Sequence, residues 1–178
     1  LNLRLCDLDP SRCTRELPFL MRLGPITARD LNDRLGRTAQ ADQTQQRPAP
    51  LVFDPMHGFL KGFIDLVFEA HGRWYLLDYK SNLLGSSPDD YCPARLAAEM
   101  ATADYELQAL LYSVALRRLA LARGILEAEF ADRWGGCFYL FLRGLSPDTG
   151  HARGVWHWRP DPAQLAELSE LLDGGGAP

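Results

Sequence analysis

Residues 60–80 read LKGFIDLVFEAHGRWYLLDYK, and the last three letters break the pattern of the rest. Two runs rich in aromatic and branched side chains, 60–70 and 73–82, flank His71-Gly72, a dipeptide suited to a tight hairpin turn. Both runs are apolar on both faces, which implies a sheet covered by helices on each side. Yet Asp78 and Lys80 close the second run, and buried strands ordinarily exclude such charges.

The turn fixes a register. With His71 and Gly72 as the loop, Ala70 faces Arg73, and counting outward places Asp65 opposite Asp78. Opposed residues of an antiparallel pair have Cβ atoms about 4.5–5.5 Å apart, so two carboxylates there repel unless a cation lies between them. Alternation along a strand puts Lys80 on the face of Asp78. A lone Asp at a strand end is ordinarily a solvated turn residue, and Asp78 with Lys80 alone would be an ion pair of little consequence. Asp65 is harder to dismiss, because inside GFIDLVF an unpaired charge costs several kcal/mol.

The chemistry that wants two acids and an amine is metal-assisted phosphodiester hydrolysis. Two carboxylates hold Mg²⁺, which takes oxygen ligands and keeps waters. The metal acidifies a bound water and polarises the phosphoryl oxygen, while the ammonium orients the water or stabilises developing charge. Lys suits that role better than Arg, being a compact charge. Of nineteen basic residues only Lys61 and Lys80 are lysines, so Lys80 is an exception in an Arg-preferring chain.

The rest of the chain bounds this reading. Its 178 residues suffice for a single domain over 1–178, and no apolar run approaches the roughly 18–20 residues of a membrane span. A net charge of −4 argues against coating nucleic acid by bulk charge, though not against a local basic cleft. The opening residues carry no secretory pattern and no initiator Met, so a cytoplasmic fragment of something longer is expected. Cys6, Cys13, Cys92 and Cys137 have neither C-x-x-C nor zinc spacing and read as free thiols, with iron–sulfur or zinc binding a weak alternative. There is no G-x-x-x-x-G-K-[ST], hence no ATP chemistry in this segment.

Secondary structure follows from pattern. Residues 15–23 predict a strand whose Pro18 suits an edge, and Thr27 predicts the cap of a helix reaching Leu35. The Gln-rich stretch 36–50 predicts a flexible loop and 173–178 a frayed tail. Helices are expected over 88–100, 103–123 and 162–172, with strands at 137–144 and in VWHW.

Asp-x(12)-Asp-Tyr-Lys on a hairpin resembles the signature of the PD-(D/E)xK nucleases. Three blocks in order, residues 60–85, YELQALLYSVALRR and GGCFYLFLRG, resemble more closely the C-terminal nuclease domains of the RecB family, the β subunits of exodeoxyribonuclease V helicase-nucleases. The resemblance implies an α/β restriction-endonuclease-like core, a central mixed sheet with a catalytic hairpin and helices on both faces. It implies metal-dependent DNA hydrolysis in double-strand-break repair, recombination and degradation of linear DNA. It assigns Asp65 and Asp78 to Mg²⁺, the Tyr79 backbone carbonyl to the same ion, and Lys80 to catalysis. Tyr105, Gln108 and Tyr112 match the family's Q-x-x-x-Y element beside the DNA, and Glu16 matches an acidic position on an earlier strand. The implied partners are DNA, the RecC and RecD subunits and the RecA recombinase, with no membrane.

One departure stands out. The family's remaining metal ligand is a histidine on an upstream helix, and no His precedes His57 here; His57, His71, His151 and His157 match no ligand position. The alternative expectation is therefore a catalytically incomplete domain that keeps mainly a docking role in RecA loading and subunit contacts.

Overall fold

The computed structural model describes residues 3–36 and 48–175, so most of the expected 36–50 loop and the last residues of the tail lie outside the described residues. Its centre is a five-stranded sheet of β1 (Cys13–Ile26), β2 (Met56–Ala70), β3 (Arg73–Lys80), β4 (Trp134–Phe141) and β5 (Val155–Trp158), in that spatial order. Every neighbouring pair is antiparallel except β3 and β4, which run parallel, so the sheet is mixed. A parallel pair needs a long crossover. Here it is made by α2 (Pro93–Thr102), α3 (Tyr105–Ala122) and α4 (Glu127–Arg133).

Local signals set the boundaries. His71 and Gly72 both sit at positive φ, 50° and 73°, the conformation of a two-residue type I′ turn. The ladder above it runs from Ala70–Arg73 to Leu66–Leu77, the register counted from sequence. Pro18 lies on β1, an edge strand, where its missing N–H costs least. The Thr27 hydroxyl accepts from the Asp30 N–H while the Asp30 carboxylate accepts from the Thr27 N–H, a capping box that starts α1 (Ala28–Leu35). Asp161 and Pro162 open the last helix, α5 (Pro162–Leu172), in the same spirit. The helix expected over 88–100 is broken, with a 3-10 turn at Pro88–Tyr91 and α2 restarting at Pro93. Pro93 has no N–H to continue the first turn, but it is well placed at the first position of the next.

Two apolar clusters flank the sheet. The larger gathers Leu76, Cys137, Tyr139 and Phe141 from the strands with buried residues of all five helices, including Leu31, Leu96, Val114, Phe130 and Leu165. The smaller, on the other face, contains Leu66, Phe68, Ala70, Tyr75, Leu77 and Leu140, against which Leu3 and Leu8 of the N-terminal segment pack. Helices on both faces were expected; among the described residues the α-helices all pack into the larger cluster, and the smaller is met by an irregular segment. Apolar alternation reports that a face is buried without reporting what buries it.

The β1–β2 ribbon changes sides as it runs. Leu60 and Ile64 belong with the helix cluster, whereas Leu66, Phe68 and Ala70, of the same parity, belong to the opposite one. Right-handed twist accumulating along a strand as long as β2, which spans 15 residues, carries one edge of the ribbon around the sheet. The changeover falls at Asp65.

Candidate active site

Asp78 and Lys80 occupy alternate positions of β3 and face the helix layer together with Leu76. They are 5% and 9% exposed, so the charges are buried rather than solvated. Burial is tolerable because each has partners: Lys80 Nζ lies 2.7 Å from Asp78 Oδ2 and donates to Gln108 Oε1 at 2.8 Å. The ammonium also lies 3.9 Å from the centre of the Tyr105 ring and 5.1 Å from that of Tyr139, within cation–π range. Burial, which disfavours the charged form, pushes the Asp78 carboxyl above the ordinary Asp range; Lys80 opposes that shift and the Asp65 charge adds to it.

Asp65 reaches the same place from β2. The β2–β3 ladder stops at Leu66–Leu77, one rung short of Asp65 and Asp78. Where the strands part, the Asp65 carboxylate accepts the Tyr79 N–H at 3.0 Å through Oδ2, replacing a backbone acceptor. Its charge is felt at Asp78, Tyr112 and Tyr139. The register expected from the turn is thus found, with the two acids on the first open rung.

The helix α3 supplies the third side. Tyr105, Gln108 and Tyr112 share one face by their spacing of three and four residues. Gln108 is the hub: its Oε1 accepts from Lys80 and, at 3.2 Å, from the Tyr139 hydroxyl, while its Nε2 donates to the Tyr112 hydroxyl at 3.0 Å. That arrangement fixes which end of the amide is which. Burial and the Asp78 charge push the Tyr112 and Tyr139 hydroxyls upward, so both stay protonated donors at neutral pH. Tyr105 passes the chain outward, its hydroxyl donating to Asn82 Oδ1 at 3.1 Å and Asn82 Nδ2 to Glu99 Oε1 at 2.7 Å.

Glu16 stands apart from this network. The β1–β2 pairs Arg15–Leu66 and Leu17–Ile64 bracket it on the rung of Asp65, but it is exposed and has a φ of 48°, unusual for a residue with a side chain. His57 and His71 are exposed, on β2 and in the turn. His157 packs on the Phe138 ring, their centroids 4.4 Å apart. Tyr139, Asn82 and Glu99 were not singled out from sequence. Tyr139 sits beside Asp78 in the parallel β3–β4 register, which no turn connects and no local pattern reveals. Asn82 was within reach, two residues beyond Lys80 in DYKSN.

Among the described residues no three His, Cys, Asp or Glu side chains converge as a metal site. Asp65 and Asp78 are nevertheless anionic oxygen donors, a chemistry that fits a hard cation whose remaining positions are filled by water or phosphate oxygen.

The pattern of the PD-(D/E)XK nuclease superfamily matches residues 6–173. The chain is 40% identical over 161 residues to RecBCD enzyme subunit RecB of Escherichia coli, spanning 89% of this chain and 13% of that protein. It is 35% identical over 172 residues to the Haemophilus influenzae subunit, 97% of this chain and 14% of that one. With the Mycobacterium tuberculosis subunit it shares 41% identity over 151 residues, 80% of this chain and 12% of the relative. The chain therefore corresponds to about an eighth of the length of these relatives. A mixed sheet, an Asp-Tyr-Lys hairpin and a match over nearly the whole sequence agree: the chain belongs to the PD-(D/E)XK nuclease superfamily.

Proposed function

We propose that this chain is a single Mg²⁺-dependent DNA nuclease domain working within a RecBCD-type helicase-nuclease, of exodeoxyribonuclease V type. The observation that carries the reading is the buried Asp78–Lys80 pair at 2.7 Å, one open rung from Asp65 and backed by Gln108. Similarity to RecB subunits of RecBCD enzymes supports that setting; RecC and RecD as companions, RecA as a further partner, and repair of double-strand breaks and degradation of linear DNA as the task belong to the same proposal.

Each residue has a chemical part. Asp65, Asp78 and the Tyr79 carbonyl would hold Mg²⁺, which when bound supplies Lewis-acid polarisation of the phosphoryl oxygen and an acidified water. Lys80 has three N–H donors, two of them spent on Asp78 and Gln108, leaving one for a water or a phosphate oxygen. The Tyr105 and Tyr139 rings hold the ammonium in place, and burial excludes the bulk water that would screen it. Tyr112, anchored by Gln108 at the edge of the network, offers its hydroxyl to the DNA backbone.

The test is cleavage of end-labelled single-stranded DNA with and without Mg²⁺, in this chain and in a version extended upstream. Asp78→Asn is expected to abolish the metal-dependent product; undiminished cleavage refutes the assignment. A second reading, a domain that mainly docks RecA and the companion subunits, is favoured by the two-carboxylate ligand set. RecA captured by the chain, with no cleavage in either version, would select it.

A further inference from the structure

Beyond the open rung, the β1–β2 ribbon has one face that is left bare among the described residues. On β2 the outward positions are His57, Phe59, Lys61 and Phe63, and across the ladder Phe59 pairs with Arg22, Lys61 with Leu20 and Phe63 with Pro18. Phe59 is 71% exposed, Phe63 53% and Leu20 66%, a large apolar outlay for a strand pair whose other face is already packed. That inner face is built for rigidity: the Phe19 ring lies 2.6 Å from where a Gly62 Cβ would be and meets Tyr112 edge-on with centroids 5.6 Å apart.

We infer that this outward face is a track for single-stranded DNA, leading the strand to the Asp65–Asp78 rung. The inference rests on the nuclease reading and adds the route of the substrate. Three observations carry it. Rings and cations alternate, with Arg22 and Lys61 making no side-chain ion pair among the described residues, which is the composition that stacks bases while holding phosphates. Successive outward residues of a strand are about 6.7 Å apart, close to the step between nucleotides in an extended single strand. The row ends at Asp65, where the ribbon changes sides and the next odd-numbered position, Val67, packs against the helix-side cluster. A chain with net charge −4 must bind DNA through such local contacts.

The test is fluorescence anisotropy of a labelled oligothymidylate of roughly 15–20 nucleotides, titrated with the chain in EDTA across a salt series. Replacing both rings, Phe59→Ala with Phe63→Ala, is expected to weaken binding by about 20-fold or more. Lys61→Ala lowers the log–log salt slope by about 0.7. Leu126→Ala, at an equally exposed apolar residue ahead of α4, leaves affinity unchanged and controls for general surface hydrophobicity. Thermal melting of each variant checks that it is folded. Undiminished affinity in the double variant, or no binding by the unaltered chain, overturns the track; the former result assigns the rings to a protein contact. Mg²⁺-dependent cleavage by Asp78→Asn separates the two readings. Its loss with normal binding by the ring variants removes the track and keeps the nuclease; its persistence with weakened binding keeps the track and removes the site.

Discussion

The two faces of β3 are built from the same eight residues and do opposite things. Tyr75 and Leu77 point into the smaller cluster among Phe68, Leu66 and Leu140, and the one charge of that parity, Arg73, stands at the turn end of the strand. Leu76, Asp78 and Lys80 point into the helix layer, where two of the three are ionisable. A strand can carry such a row only where each charge is answered, and here Lys80 answers Asp78 while Gln108 and Tyr105 of the helix layer, with Tyr139 of the neighbouring strand, surround Lys80. The apolar face supplies stability through contact, and the polar face, on the proposed reading, supplies chemistry through partners whose removal is felt one atom at a time.

The sharpest way to break this contrast is to neutralise the charged face. Lys80→Met keeps the aliphatic stem and removes the ammonium; metal-dependent cleavage is expected to fall on the order of 10²–10³-fold in single-turnover assays. With Lys80 gone, nothing opposes the burial that raises the Asp78 carboxyl, which eases protonation there, so circular dichroism should report an intact fold.

Leu77→Ala tests the other face. Leu77 is 2% exposed, and its truncation should cost about 2–5 kcal/mol in denaturant unfolding, while cleavage per folded molecule stays within a few-fold of the original. Loss of cleavage without loss of stability would erase the distinction between the faces.

Gln108→Leu falls between the two. It leaves Lys80 and the Tyr139 hydroxyl without their shared acceptor, so a loss of about 1–3 kcal/mol is expected together with weaker cleavage. The smallest effect at neutral pH concerns Cys137, buried beside Ser113 with its thiol pushed up to about 12 by burial. Since the unfolded chain ionises first, stability is fully present below the ordinary thiol range and falls as pH rises from about 9 toward 12, by at most about 1.4 kcal/mol per pH unit. Cys137→Ala should flatten that slope in alkaline urea melts.

How much of this was legible beforehand depends on how local the cause is. The His71-Gly72 turn fixes φ at two residues, and through it the Asp65–Asp78 rung could be counted from letters. Thr27 announced α1 because a helix cap is equally local, while its partner Asp30 emerged only from the structure. Gln108 and Tyr112, four apart on one helix, were legible as a face, but their meeting with Lys80 depends on how α3 crosses the sheet. Tyr139 was hidden because a parallel neighbour is joined by three helices rather than a turn. The covering of the second face was hidden too, since hydrophobic patterning is blind to the identity of the partner.

On the proposed reading, the open rung between β2 and β3 is a cation site. The most direct measurement is anomalous diffraction from crystals of this chain grown with Mn²⁺ in place of Mg²⁺. A peak bonded by the Asp65 and Asp78 carboxylates and the Tyr79 carbonyl oxygen is expected. Well-ordered carboxylates with no peak between them, at Mn²⁺ concentrations that support cleavage, would contradict it.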